Sequence, residues 1–154
     1  MNQNKELLEL SKALLLEQEN DTDDVNRILN EMCNQASNEV IEGLCALFDD
    51  DIEETSLISD MVETIFYIVR RNNIRNGVQT ILESTVYYGP HSSYCFEELY
   101  HVLLNSEDLK SILSKELPQV DHLIQQKVKM IINQLAKHQP ALFAEVARDI
   151  LKEK

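Results

Sequence analysis

The stretch DIEETSLISDMVETIFYIVR, residues 51–70, decides the fold. Leu57, Ile58, Met61, Val62, Ile65, Phe66 and Val69 recur at helical spacing, so they fall on one broad side of a helix with about 3.6 residues per turn. A half-buried strand would alternate apolar and polar residues, and this stretch does not. The spacing predicts a helix over about 52–70 with Met61 and Ile65 turned inward.

The same periodicity extends in both directions. Upstream, Leu7, Leu8, Ser11, Leu14 and Leu15 predict a first helix over about 5–17. The polar NDTDD run (20–24) separates it from a second carrying Val25, Ile28, Leu29 and Met32, and a third uses Val40, Ile41, Leu44, Cys45 and Phe48. Downstream, a helix over about 74–87 is stopped at Gly89-Pro90, because proline has no N–H to donate and cannot continue the turn. Phe96, Leu99, Tyr100 and Leu103 pattern the next helix, and Asn105-Ser106 punctuates before Leu109, Ile112 and Leu113. Pro118 begins a helix over about 119–137, and Pro140 opens the last one, with Phe143, Val146 and Ile150. The expected architecture is all-α. Eight to nine amphipathic helices would stack as antiparallel hairpins in a solenoid-like (HEAT-like) array, a single domain over 1–154.

Composition narrows the function classes. Apolar residues make up 44% of the 154 residues while Gly and Pro number three each, which suits helices with a real core rather than a turn-rich β protein. No apolar run reaches the roughly 20 residues that cross a bilayer, and Glu6 and Glu9 stand where a secretory signal would be basic then apolar. A cytoplasmic location is expected. Cys33, Cys45 and Cys95 are odd in number and lack CxxC spacing, so reduced, partly buried thiols are expected.

The net charge of −13 is unevenly distributed. Residues 1–69 hold 17 acids and three bases, Lys5, Lys12 and Arg27, for −14; residues 70–154 hold 10 acids and 11 bases, for +1. No base occurs from Ile28 to Val69. Such a half cannot neutralise phosphates, which argues against nucleic acid or an anionic membrane and for a cationic partner.

Seven acids concentrate at 49–63. Asp49, Asp50 and Asp51 are consecutive and no Gly follows, so the alternate oxygen ligands and sharp turn of an EF-hand are missing, and no metal is expected. Asp51 and Glu54 have capping-box spacing at the start of the predicted helix. Glu53, Ser56, Asp60, Glu63 and Tyr67 form a polar stripe opposite its apolar face. Two readings of the stripe stand, an ordinary solvated face or a docking face. The second is suggested because solvated faces mix signs to relieve repulsion, and this one carries no Lys or Arg. Asp49, Asp50, Asp51, Glu53, Asp60 and Glu63 are the candidate partner-binding acids, with Tyr67 as an anchor.

Other chemistry is thin. Tyr87, Tyr88, His91, Tyr94, Phe96, Tyr100 and His101 cluster around Gly89-Pro90, which is read chiefly as packing at a helix junction. His spacings do not match a metal pair, Cys95 and His101 are offset by six, and neither a phosphate-cradling Gly loop nor a G-x-S-x-G elbow occurs. The sequence is read as that of a non-enzyme without cofactor.

Two blocks carry a family resemblance. LCALFDDDIEETSLISDMVETI (44–65) and LYHVLLNSEDLKSILSKEL (99–117) resemble the bacterial polymorphic-toxin immunity proteins of immunity family 30, over roughly 25–135. The resemblance implies a cytosolic antidote that binds a cognate secreted toxin domain and blocks it in the producing cell. It transfers no catalytic residues. The competing reading is a helical-repeat adaptor or regulator with an unrelated basic partner.

Overall fold

The computed structural model describes residues 2–152. Among them the chain forms α1 (Gln3–Ala13), α2 (Asp21–Gln35), α3 (Val40–Ala46), α4 (Ser56–Arg71), α5 (Ile74–Ser84), α6 (Ser93–Leu104), α7 (Glu107–Glu116), α8 (His122–His138) and α9 (Pro140–Ile150), with short 3-10 turns at Thr85–Tyr87 and Leu117–Gln119 and no strand. The fold is all-α. Helices α2, α4, α6 and α8 contact one another in sequence, as do α1, α3, α5 and α7, while α1–α2, α3–α4, α4–α5, α6–α7 and α8–α9 pack as chain neighbours. Two rows of alternate helices thus enclose a connected core running from Leu10 to Ala147.

The decisive stretch behaves as its spacing requires. Leu57, Ile58, Met61, Val62, Ile65, Phe66 and Val69 are all buried, and Met61 and Ile65 have no exposed surface. Thr64 and Ile68 are buried as well, because α2, α5 and α6 all pack against α4. At Gly77 of α5, a Cβ would sit 2.8 Å from both Val69 methyls, so glycine lets α5 close onto α4.

Several boundaries differ from expectation. The first helix stops at Ala13, and Leu16 beyond it takes a left-handed φ of 55°. The NDTDD run belongs to α2, with Asn20 as N-cap and Asp21, Asp23 and Asp24 in the first turn, where carboxylates complement the helix dipole. Helix α4 starts at Ser56, with no acid in its first turn and no side-chain cap from Thr55. The Asp51/Glu54 capping box therefore does not form: both residues lie in the preceding loop, and both are exposed. Pro118 sits in a 3-10 turn, and Asp121 caps α8 through a bond from the Leu123 N–H at 3.2 Å. Pro140 opens α9 at its first position, where the missing N–H has no intrahelical partner to lose.

Candidate functional site

The candidate site lies in the residues from 48 to 67. Phe48 anchors the loop, packing edge-on against Phe96 with ring centroids 5.1 Å apart. The next three acids have separate roles. Asp49 accepts a bond from the Asp51 N–H at 2.9 Å, an Asx turn that bends the chain. Asp50 faces a different helix altogether. Its carboxylate accepts from the Tyr94 and Cys95 N–H groups, both at 3.0 Å, and from the Ser93 hydroxyl at 3.4 Å, while its own N–H donates to the His91 carbonyl at 2.7 Å.

Asp50 is thus the N-terminal cap of α6, delivered from more than 40 residues upstream. The local candidate, Ser92, makes no cap bond. Its hydroxyl is committed to the turn before the helix, donating to the Tyr87 carbonyl and accepting from the Gly89 N–H, both at 3.1 Å. With Ser92 occupied, the α6 N–H groups take a carboxylate from the acidic loop. The Cys95 thiol beside it is buried, and burial, reinforced by Asp50, drives its pKa upward. That environment favours the protonated thiol over a nucleophilic thiolate.

Helix α4 supplies the rest. Ser56 and Glu63 are exposed, Tyr67 is 60% exposed, and Asp60, expected on the surface, is half-buried. Glu53 precedes the helix, so the helical part of the stripe runs from Ser56 to Tyr67. Both cations at the C-terminal end of α4 are committed elsewhere. Arg70 forms a two-bond pair with Asp108 on α7, and its guanidinium holds the Asp108 carboxyl below the ordinary range. Arg71 donates to the Met32, Cys33 and Ala36 carbonyls, closing the C-terminal end of α2. Among the described residues Asp49, Asp51, Glu53, Glu54, Asp60 and Glu63 enter no ion pair, and the nearest upstream base, Arg27, is shared by Glu9, Asp24 and Glu31.

The aromatic cluster divides in two. Phe96 and Tyr100 are fully buried; Tyr88 meets Phe96 edge-on at 5.9 Å, and the Tyr100 hydroxyl shares a 2.7 Å bond with Thr85. These residues build the junction. Tyr87, Tyr94 and His91 reach the surface, with the Tyr87 hydroxyl donating to Glu42 at 3.3 Å. Cys45 and Cys95 are buried, and Cys33 is half-buried beside Thr64. Among the described residues no three His, Cys, Asp or Glu side chains gather as metal ligands, and no helix is long and apolar enough to cross a membrane.

The fold is all-α, and among the described residues the candidate loop and helix face hold six acids that enter no ion pair. The chain belongs to the Immunity protein 30 family, whose match spans residues 12–113, from the last turn of α1 into α7. Helices α8 and α9 lie beyond the match, which therefore ends earlier than the resemblance over 25–135 and begins earlier too. No curated protein and no solved structure matches the chain.

Sequence reasoning missed the cap on α6 and the commitments of Arg70 and Arg71. Nothing in the local pattern marks Asp50 apart from its neighbours, since its partners come from another helix.

Proposed function

We propose that this protein is a cytoplasmic antidote that binds a cognate toxin domain one-to-one and blocks its active surface. Membership of the Immunity protein 30 family supports toxin neutralisation as the class of function. The observation that carries the mode of binding is that, among the described residues, no ion pair reaches the acids at 49, 51, 53, 54, 60 and 63, while Arg70 and Arg71 are spent on internal contacts. An internally uncompensated anionic face favours a basic partner and raises its capture rate. Asp51, Glu53, Asp60 and Glu63 contribute the field, Tyr67 the apolar anchor, and Asp49 and Asp50 hold the loop in shape.

The test is a binding time course with the toxin domain encoded beside this gene, at low and high salt. Reversing Asp60 and Glu63 to Lys slows association at low salt with the melting temperature nearly unchanged. The deficit shrinks as added salt screens the field beyond about 8 to 10 Å. Equal association rates for wild type and the double reversal at low salt would return these acids to an ordinary solvated face.

A further inference from the structure

A groove of about 260 Å³ lies between α6 and the α8–α9 turn. Its apolar contribution is Leu135, only 1% exposed; Tyr94, 44% exposed, and His101 supply aromatic walls. Glu97 and Glu98 are half-buried there, and neither Lys nor Arg lines the space. Several of its polar groups pair with one another, and the Gln139 amide lies 3.4 Å from Nδ1 of His101. Glu97 meets Nδ1 of His138 at 2.9 Å, and His138 is itself exposed. Glu98 lies beside Tyr94, and interaction with this carboxylate pushes the tyrosine pKa upward.

We infer that this groove is a socket for an arginine side chain of the protein partner. The guanidinium is planar, permanently charged and forked, so it can bridge adjacent carboxylates and stack on a tyrosine ring, while its methylenes cover an apolar floor. Two carboxylates, one aromatic wall and a leucine are the complement of those three properties. An incoming guanidinium gives Glu98 a charge-assisted donor. The socket is also fixed to the acidic loop, since Asp50 holds the Tyr94 and Cys95 N–H groups at 3.0 Å. The acidic loop and the groove therefore meet at the start of α6.

This inference rests on the reading of that surface as the partner-facing one, but its test needs no toxin. The full chain is titrated with Nα-acetyl-arginine methylamide, followed by NMR at Tyr94, His101 and His138, beside the uncharged citrulline analogue. Saturable shifts with the arginine compound alone are expected. Glu98→Gln weakens them about tenfold, as loss of one charge-assisted contact implies, and Tyr94→Phe, which keeps the ring, preserves binding. Equal shifts with the citrulline analogue, or a Glu98→Gln response like that of wild type, would overturn the socket. Toxin capture that survives such a result would leave the antidote reading intact.

Discussion

In the loop before α4, Asp49 and Asp50 turn their carboxylates onto backbone N–H groups, whereas among the described residues Asp60 and Glu63 on α4 enter no ion pair. The two sets are close in sequence and identical in chemistry. What separates them is the neighbour each side chain reaches. The loop crosses the open end of α6, where unpaired N–H groups supply partial positive charge, so an acid there completes the fold. The outer face of α4 meets no helix end, and the two arginines that follow point away to α7 and α2. An acid there adds field rather than structure.

The largest expected effect lies on the opposite face of α4. Ile65 is wholly buried, so Ile65→Ala costs about 2 to 5 kcal/mol by denaturant unfolding, the range for opening a core cavity. A cost within the surface range would remove the inward face from the comparison. Next comes the trans cap: Asp50→Ala lowers stability by roughly 0.5 to 2 kcal/mol, whereas Asp50→Asn falls between alanine and wild type, because Tyr94 and Cys95 donate to different carboxylate oxygens and an amide supplies one acceptor. An unaffected Asp50→Ala protein would mean that α6 begins equally well without the loop.

Charge crowding within the acidic half gives a pH-dependent prediction. One Glu6 carboxylate oxygen is buried without a hydrogen-bond partner, and burial, with Glu31 nearby, raises its pKa above 4.5. Its native state therefore binds more protons than the unfolded chain between 4.5 and the raised value, and stability falls as pH rises through that window. Glu6→Gln is expected to melt higher than wild type at neutral pH, with the gap closing as pH falls below 4.5. Thermal unfolding across that range checks it, and a gap independent of pH would assign the effect to packing. The smallest change is Asp51→Ala, expected within about 0.5 kcal/mol because the residue is exposed and caps nothing. A cost matching that of Asp50→Ala would erase the distinction between the two neighbours.

The inward face of α4 was legible because burial of a helix against several neighbours leaves a one-dimensional trace: apolar residues return with each turn, whatever they pack against. The start of α9 at Pro140 was equally local, since a missing N–H acts at its own position, whereas α5 ends at Ser84 and a 3-10 turn carries the chain to Tyr87 ahead of Gly89-Pro90. The start of α4 was misplaced for a related reason. Asp51 and Glu54 have the spacing of a capping box, but Ile52 is drawn into the core at 7% exposure, and the loop from Asp49 turns back through bonds at Asp51 and Ile52 before the helix begins.

Fold class, inward helix faces and the concentration of negative charge were determined by the sequence itself, because each depends on residue type and spacing along the chain. The division of that charge was decided only by tertiary structure. Asp50 acquires its role from α6, Arg70 from α7 and Arg71 from α2, across separations of more than 30 residues. The groove beside α6 likewise exists only once Leu135 and His138 are folded against Glu97 and Glu98. Hydrogen bonds and ion pairs act over a few ångströms in space, and a linear pattern holds no record of which distant groups will come within that reach.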